Sequence, residues 1–255
     1  MAISKQKIHY GVDAPGLVKG LFAIAAMALS TTLIATIPPW RSEIWAAVIA
    51  LLAILCFGYS TSMGCYMVYT SKISKVCHRD ALLDLIPWSG KETVLDVGCG
   101  RGVLLVAAAK RVPDGRVIGI DIWQAEDKSD NRPETPLINA EIEGVSSQVN
   151  VQTADMRSLP FQACSFDVVV SRWTIHNLST ASDRLQAIDE MVRVLKPGGH
   201  LLIVDIENQY EYLTQLEALK FQYIQQSSSR LSNLILKILT FDSFQPFTLT
   251  GHKPT

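Results

Sequence analysis

The sequence predicts an α/β protein in which a doubly wound parallel sheet is preceded by two transmembrane α-helices. Two long uncharged apolar runs lie within the first 70 of its 255 residues, and the rest of the chain alternates short apolar strands with amphipathic helices. Such alternation is typical of βαβ units and a parallel sheet. A turn with three glycines at alternate positions follows the first of these strands.

The N-terminal part of the chain is the predicted membrane segment. The runs 20–37 and 44–70 contain no charged residue, and each is near the roughly 20 residues that cross a hydrocarbon core. The six residues between them, PPWRSE, form a polar turn. We therefore expect a tail at 1–16, a transmembrane helical hairpin at 17–70 and a second domain at 71–255.

Basic residues flank the predicted hairpin at its two outer ends. Three lysines precede the first run, two lysines and an arginine follow the second, and the turn has one arginine beside a glutamate. Because Lys and Arg accumulate on the cytoplasmic side, this pattern predicts an integral membrane protein with both ends in the cytoplasm. Two alternatives are insertion in the plane of the interface and burial in a soluble fold. A cleaved signal peptide fits less well, since a second run follows at once and no A-x-A-like site ends the first.

The chain after residue 71 is predicted to form one domain. Its expected elements are a lead-in helix at 75–86, strand 93–98, helix 102–112, strand 116–121, helix 136–144, strand 148–155, strand 166–171, a helix from 181 to the KPGG sequence at 196–199, strand 200–206 and helix 209–226. The near-continuous apolar strand FDVVVS is typical of a strand that is buried on both faces. The segments SNLILKIL and FQPFTLTGHK are expected to pair as an antiparallel hairpin at the sheet edge.

Composition excludes several classes of function. The five cysteines form no C-x-x-C pair, so neither a metal cluster nor a disulfide framework is expected, and a reduced cytosolic face is the simplest interpretation. The formal net charge is −1, which gives no electrostatic footprint for a nucleic-acid partner.

The glycine turn VLDVGCGRG at 94–102 indicates the kind of ligand. Ligands of doubly wound sheets bind beyond the carboxyl ends of the strands, where this turn lies. Val103 stands where a dinucleotide fingerprint needs its third glycine, and no G-K-[ST] follows, so neither a Rossmann dinucleotide loop nor a P-loop fits. The Asp96 carboxylate would repel a pyrophosphate and attract an ammonium group. A nucleoside with a cationic amino-acid end, S-adenosylmethionine, is therefore the expected ligand.

Two further acids end the next strands. Asp121 ends the second strand, where a carboxylate accepts hydrogen bonds from ribose hydroxyls, although a dinucleotide site uses an acid there too. Asp155 ends the third strand and is placed to accept from an adenine amino group, with Met156 supplying a backbone donor and an apolar face. The alternative for both acids is that they are solvated strand ends.

With these motifs in order, the sequence resembles the class I S-adenosylmethionine-dependent methyltransferases, especially the small-molecule group, methyltransferase type 11, that includes quinone and sterol methyltransferases. The resemblance covers roughly residues 76–255 and rests on VLDVGCGRG, VIGID, ADM, SFDVVVS and VLKPGGHLLIVD. It implies a Rossmann-like seven-stranded sheet with an antiparallel last strand. The hairpin lies outside the shared pattern.

The resemblance also implies roles for particular residues. The implied cofactor-binding residues are Asp96, Gly98, Gly100, Asp121, Ile122, Asp155, Met156 and Ser171. The first three would line the methionine part of S-adenosyl-L-methionine, Asp121 the ribose, and Asp155 with Met156 the adenine. Ser171 and Arg172 would present backbone carbonyls near the amino group of the cofactor. The alternative for Gly102 is that it only allows close helix packing, and the alternative for Cys99 is that it is a small packing residue.

The stretch SRWTIHNL after the fourth strand is expected to face the acceptor. His176 is its one histidine, and an unperturbed pKa of about 6.5 suits a general base. A packing or hydrogen-bonding role is the alternative for His176, while Trp173 and Asn177 are expected to shape the pocket.

The hairpin gives the clue to the acceptor. Anchoring a catalytic domain concentrates it with substrates that partition into the bilayer, so we expect a hydrophobic small molecule or lipid, such as a prenylated quinone, a sterol or a lipid headgroup. A hairpin that only sets location or mediates oligomerisation is the alternative. The sequence is also compatible with two other functions, that of an NAD(P)-dependent oxidoreductase and that of a non-catalytic membrane scaffold that kept the cofactor pocket.

Overall fold

A computed structural model describes residues 10–12, 14–37, 43–124, 131–227 and 246–255. The chain divides into two compact units. The first contains the two long helices, within Tyr10–Cys77, and the second contains the sheet and the helices around it.

The first unit consists of α1 (Pro15–Ala35) and α2 (Ile44–Tyr69), and a π-helical turn, Thr70–Ser74, follows α2. Both helices are long and apolar enough to be candidate membrane spans. Their buried residues are nearly all small: Val18, Ala25, Ala28, Ala35, Ala46, Ala53, Ser60 and Gly64. Large apolar side chains such as Met27 (62% exposed) and Leu33 (59%) lie on the outside.

The second unit is a sheet with helices on both sides. Its elements are α3 (Lys75–Leu83), β1 (Thr93–Val97), α4 (Val103–Ala109), β2 (Arg116–Asp121), α5 (Glu134–Ile142), β3 (Val149–Thr153), β4 (Phe166–Arg172), α6 (Ala181–Val194), β5 (Leu195–Asp205), α7 (Gln209–Ala218), β6 (Gln222–Ser227) and β7 (Phe247–His252). The strand order is β3-β2-β1-β4-β5-β7-β6. Strands β1 to β5 are parallel, and β7 is antiparallel to both its neighbours. The predicted seven-stranded sheet with an antiparallel last strand is confirmed.

Alternate residues of the central strand β1 belong to two separate cores. Leu95 packs in the cluster that includes Ile188 of α6, whereas Val94 packs in the cluster that includes Leu105 of α4. Side chains of a strand point alternately to opposite faces, so Asp96 lies on the same face as Val94. Both faces are covered by helices, which is why β1 and β4 are apolar almost throughout.

The C-terminal part of the unit differs from the sequence-based prediction. The helix expected at 209–226 ends at Ala218, because Lys220 adopts a left-handed conformation (φ 59°) and the Phe221 amide turns back to donate to the Leu216 carbonyl. Residues 222–227 are instead the outer strand β6. No glycine or proline marks this helix end, so the usual signal was missing.

The last strands also pair differently from the prediction. FQPFTLTGHK contains β7, but β7 lies between β5 and β6, inside the sheet. Its expected partner, SNLILKIL, falls outside the described residues. Strand β5 begins at Leu195, earlier than expected, and its register with β4 shifts between Phe166 and Val168, so the KPGG sequence is an irregular extension of the strand.

Candidate functional site

The glycine loop, residues 98–102, joins β1 to α4 at the carboxyl edge of the sheet, and its backbone amides point inward. The amides of residues 98 and 99 both donate to the Ile120 carbonyl, at 2.8 and 2.9 Å. The amide of residue 100 donates to the Asp121 carboxylate at 2.8 Å, and that of residue 102 donates to the carbonyl of residue 99 at 2.8 Å. Loops that cradle phosphates aim these groups at the ligand. Four of the five amides in this loop are therefore already committed to the protein.

The alternating glycines are required by the shape of the loop. Gly98, Gly100 and Gly102 all have positive φ, at 73°, 50° and 82°, a region that is costly for residues with a Cβ. A Cβ on Gly98 would lie 2.1 Å from the Thr174 methyl carbon, and one on Gly102 would lie 3.0 Å from Pro136. Close packing accounts for Gly102, as the sequence-based alternative proposed.

Two carboxylates border the loop. Asp96 is 2% exposed within β1, and Asp121 is half-buried at the end of β2. The Oδ2 atom of Asp121 accepts from the Gly100 amide, while Oδ1 accepts from the Trp123 amide at 2.7 Å and from Asn131 at 3.4 Å. Since a carboxylate oxygen has two acceptor positions, Oδ2 keeps one for a ligand hydroxyl. Asp121 is thus a hydrogen-bonded carboxylate, and the side chain of Ile122, next to it, is 44% exposed.

Asp155 follows β3 and is held by an arginine that the sequence did not single out. Arg157 Nη2 lies 2.6 Å from Asp155 Oδ2, and the Arg157 amide donates to Oδ1 at 2.9 Å. The hydrogen bond from the Arg157 guanidinium lowers the pKa of Asp155 below its ordinary value. Arg157 also reaches Asp183 on α6, at 3.3 Å. The side chain of Met156 packs in the core on the α6 face, so this loop is fixed from both sides.

The end of β4 is fastened to its neighbours. The Ser171 hydroxyl, which is buried, donates to the Val97 carbonyl at 2.9 Å and so joins β4 to β1 at the carboxyl edge. The Trp173 backbone is left-handed (φ 53°), and its amide donates to the Val204 carbonyl at 2.8 Å. The Arg172 guanidinium lies 4.0 Å from the centre of the Trp173 ring. Strained backbone of this kind clusters at functional sites.

His176 lies in a 3₁₀ turn, Ile175–Asn177, and contacts a buried carboxylate at the end of β5. Its Nδ1 atom is 2.5 Å from Asp205 Oδ1, and its amide donates to Oδ2 at 3.1 Å. Asp205 is 1% exposed and also accepts from the Ile206 amide and the Tyr212 hydroxyl, at 2.9 and 3.2 Å. An ionised carboxylate only accepts hydrogen bonds, so Nδ1 carries the proton and Nε2 is the acceptor in the neutral ring. Burial and the Asp205 charge raise the pKa of Tyr212, which keeps its hydroxyl a donor.

Comparison with known proteins adds a family likeness to this geometry. Residues 95–203, less than half of the chain, match the family model for a methyltransferase domain. The match spans β1 to most of β5 and includes the glycine loop, both strand-end acids and His176.

Relatives that match this part of the chain include quinone-pathway enzymes. The chain is 33% identical over 113 residues to a demethylmenaquinone methyltransferase of Symbiobacterium thermophilum, a match that covers 44% of the chain and 41% of the relative. It is 28% identical over 143 residues to the ubiquinone/menaquinone biosynthesis C-methyltransferase UbiE of Dinoroseobacter shibae, with 55% and 54% covered. The chain thus spans about half the length of these relatives.

A solved structure has the same fold as the second unit of this chain. The geranyl diphosphate C-methyltransferase of Streptomyces coelicolor, in complex with Mg²⁺, geranyl diphosphate and S-adenosyl-L-homocysteine, superposes with a TM-score of 0.58 at 16% identity. The superposition covers 74% of this chain and 83% of that structure. At this identity the likeness shows the fold alone.

The structure brings together at the carboxyl edge the residues that the sequence proposed, and adds others. Asp205, Tyr212, Thr174 and Arg157 were not predicted. Asp205 had a sequence signal, because it is an acid that ends the apolar strand HLLIVD just as Asp121 ends RVIGID. In the part of the chain that the structure describes, no group of three or more His, Cys, Asp or Glu side chains is arranged to hold a metal ion.

A separate open cleft of about 480 Å³ lies at the opposite, amino edge of the sheet of the second unit. The KPGG sequence lines it, together with Glu92 and Asp167. Asp167 pairs with Lys196 at 2.7 Å and accepts from the Thr93 amide, and Glu92 accepts from the Ser89 and Gly90 amides. These acids therefore hold the strand ends in place, and KPGG lies away from the carboxyl-edge residues.

Proposed function

We propose that this chain is a membrane-anchored methyltransferase that transfers the methyl group of S-adenosyl-L-methionine to a hydrophobic small molecule or lipid at the cytoplasmic face of a membrane. The observation that carries the proposal is the glycine loop whose amides are committed to the protein and which is bordered by Asp96 and Asp121. Such a loop suits a ligand with a positively charged amino-acid end.

The residues at the carboxyl edge fit this cofactor. Asp96, Gly98 and Gly100 would bind its methionine part, with the backbone carbonyls of Ser171 and Arg172 near the amino group. The remaining acceptor position on Asp121 suits a ribose hydroxyl, and the exposed side chain of Ile122 suits a flat apolar ring. The Asp155–Met156 segment would border the adenine. When bound, S-adenosylmethionine supplies a methyl group already activated on a sulfonium, so the main task of the protein is alignment, which contributes up to about 7–11 kcal/mol in ideal cases.

A nicotinamide dinucleotide suits the same loop poorly. A pyrophosphate needs free backbone amides and no nearby negative charge. Here four amides of the loop are committed, and the Asp96 carboxylate borders the place where the phosphates would lie. The oxidoreductase alternative therefore conflicts with the geometry as well as with Val103.

His176 is the proposed general base. Asp205 holds the ring through Nδ1, which leaves Nε2 as the proton acceptor. An acceptor hydroxyl or acidic C–H aligned with the methyl group would lose its proton to His176 Nε2 as the new bond to the methyl carbon forms and the sulfur–methyl bond breaks, with S-adenosylhomocysteine as the leaving group. The Asp205 carboxylate then stabilises the imidazolium, because the two groups remain in contact in a buried setting.

The packing of the helical hairpin supports membrane insertion. Soluble helices bury their large apolar side chains, whereas membrane helices pack through small residues and turn the large ones toward lipid. Here alanines, Ser60 and Gly64 are inside and the leucines and isoleucines are mostly outside. In the most apolar stretch of each helix only 17% of the residues are buried, which argues against the buried soluble hairpin. The basic residues at both outer ends favour the cytoplasmic orientation.

An apolar acceptor is the substrate that this arrangement suits best. A catalytic domain tethered to a bilayer shares a thin layer with lipid-soluble molecules. The two relatives named above point in the same direction, since one is a demethylmenaquinone methyltransferase and the other a ubiquinone/menaquinone biosynthesis C-methyltransferase. We therefore favour a prenylated ring or another lipid with a nucleophilic oxygen or carbon.

One experiment tests the activity. The full chain, purified in lipid nanodiscs, is titrated with S-adenosylmethionine and with NADH, and is then incubated with methyl-labelled donor and either a membrane lipid extract or a pool of water-soluble metabolites. We expect donor binding and a labelled lipid identified by mass spectrometry, with transfer but not donor binding abolished in His176→Ala. Tight NADH binding without donor binding would establish the oxidoreductase, and donor binding with no product from either pool would establish the scaffold. Labelling of water-soluble molecules alone would refute the lipid acceptor.

A second experiment tests the anchor. Membranes that contain the chain are washed at alkaline pH, and sealed vesicles of known orientation are treated with protease. A spanning hairpin stays in the membrane after the wash, and the methyltransferase domain is digested only when the cytoplasmic face is outside. Release by the wash would show that the helices lie on the surface.

A further inference from the structure

Arg184 on α6 joins two elements that position His176. Its Nε and Nη2 atoms donate to the two carboxylate oxygens of Glu211 on α7, at 2.9 and 2.8 Å. Its Nη1 atom donates to the Leu178 carbonyl at 2.9 Å. Leu178 lies two residues after His176, and Glu211 immediately precedes Tyr212, so one guanidinium connects the segment that follows the proposed base with the helix that carries Tyr212.

These contacts form a closed circuit of interactions around the part of the site that would bind the methyl acceptor. Asp205 accepts from His176 and from Tyr212. Tyr212 follows Glu211, Glu211 binds Arg184, and Arg184 binds the loop of His176. The His176 loop contains only one 3₁₀ turn, so its position depends on such side-chain contacts. This circuit of interactions therefore holds the imidazole through β5 on one side and through α6 and α7 on the other.

We propose that the Arg184–Glu211 pair is a positioning device for His176, so that the orientation of the proposed base depends on a pair of residues that do not touch the substrate. This inference rests on the proposed function. The side chains of Arg184 and Glu211 are 12% and 22% exposed, so the pair is mostly shielded from water. The planar fork of arginine binds the carboxylate in two places and still reaches the carbonyl, which a lysine cannot do.

The groups that face the imidazole come from three elements. Asp205 of β5 touches the ring, and Tyr212 of α7 shares that carboxylate. Arg184 of α6 and Glu211 of α7 form the outer pair, and Glu207 contributes charge near Arg184. Removing Arg184 leaves the contacts of Asp205 in place and frees the loop at Leu178, so its effect on His176 acts through position.

Arg184→Met has a matched control on the same helix. Arg193 binds Glu190 and donates to the carbonyls of Leu159 and Phe161, so it makes the same kinds of contact with a different loop. Arg193→Met thus removes a comparable set of interactions without touching the His176 loop. Both variants are expected to be less stable, and only Arg184→Met should change the proposed base.

The test combines kinetics with a spectroscopic readout on the full chain in nanodiscs. In Arg184→Met we expect kcat to fall about 10- to 100-fold, with the affinity for S-adenosylmethionine unchanged, since misplacement of about 1 Å costs on this scale. Selective ¹⁵N labelling of the five histidines resolves the His176 ring, assigned with His176→Ala. In the wild type Nδ1 should carry the ring proton, and in Arg184→Met the ¹⁵N signals of the ring should shift and broaden, because the loop no longer holds the imidazole in one position against Asp205.

The outcomes separate the two proposals. Shifted or broadened His176 ring signals in Arg184→Met, with wild-type signals in Arg193→Met, support the positioning role. Identical His176 signals in wild type and Arg184→Met overturn it, whatever the loss in stability. A wild-type chain that transfers no methyl group to any acceptor overturns the proposed function, and the ¹⁵N comparison then still decides whether the pair positions the ring.

Discussion

Replacing Asp205 by asparagine is the sharpest test of the proposed base. Oδ1 of Asp205 accepts from His176 Nδ1 at 2.5 Å and the Ile206 amide at 2.9 Å, and Oδ2 accepts from the His176 amide at 3.1 Å and the Tyr212 hydroxyl at 3.2 Å. The asparagine oxygen serves only two of these four donors, and its NH₂ group faces the other two. If the NH₂ faces Nδ1, the ring must accept there, so the proton moves to Nε2 and blocks the base.

The magnitudes follow from this geometry. Leaving buried donors unsatisfied costs about 1–3 kcal/mol each, and two are affected, so we expect Asp205→Asn to lose roughly 2–6 kcal/mol of unfolding free energy. Blocking the base should lower kcat about 10²- to 10⁴-fold, the usual contribution of general acid–base catalysis. Tyr212→Phe removes one donor and leaves the tautomer unchanged, so its rate should fall by less than about tenfold.

The assay is methyl transfer from labelled donor to the lipid product identified for the wild type, with donor affinity measured separately by calorimetry. Donor affinity within about threefold of the wild type certifies that Asp205→Asn is folded, since a threefold change is below about 1 kcal/mol. A folded Asp205→Asn variant whose ¹⁵N signals place the His176 proton on Nε2, and which still keeps more than a tenth of the wild-type rate, would refute the role of His176 as base.

Three further predictions concern the frame of the site. Gly98→Ala should be destabilised by more than Gly144→Ala. Both positions have positive φ (73° and 75°), but a Cβ at residue 98 would lie 2.1 Å from a threonine methyl group, whereas nothing lies within 4 Å of a Cβ at residue 144. Equal urea midpoints for the two variants would contradict the packing argument. Asp121→Asn should weaken donor binding about 10- to 100-fold by calorimetry, because an amide NH₂ faces one of the backbone amides now bound by the carboxylate, and unchanged affinity would remove Asp121 from the site. The hydrogen bond from Arg193 lowers the pKa of Glu190 below its ordinary 4.5, so the stability that this carboxylate contributes is complete above pH 4.5 and is lost as the pH falls through the lowered pKa. The unfolding free energies of the wild type and Glu190→Gln should therefore differ more at pH 7 than at pH 3. The same difference at both pH values would contradict this prediction.

The cofactor half of the fold was predictable because its signals are local. A strand, a glycine turn and a strand-end acid follow one another within a few residues in VLDVGCGRG, and RVIGID repeats the strand and the acid. Strand β2 begins and ends where the sequence predicted, at Arg116 and Asp121. Local chemistry also indicated that no dinucleotide loop was present, and the committed amides agree with that prediction.

The acceptor half was less predictable because it is assembled from distant parts of the chain. His176 and Asp205 are 29 positions apart, and Arg184 and Glu211 are 27 apart. The polar side chains of α6 that hold neighbouring loops look, in the sequence, like an ordinary solvated helix face. The same limit explains the error at α7, where the end of the helix depends on the packing of Phe221 in the core.

The two halves of the proposed site are joined by one side chain, and this bears directly on the reaction. Thr174 lies two residues before His176. Its hydroxyl has the Arg172 carbonyl at 2.9 Å and the Gly98 carbonyl at 3.3 Å as acceptors, and its methyl group fills the space that a Cβ on Gly98 would occupy. The loop that would hold the methionine part of the cofactor therefore rests against the loop that carries the base. Methyl transfer to a deprotonated acceptor depends mainly on a fixed distance between these two loops, because the donor is already activated. The absence of a Cβ at residue 98 is what allows that close approach.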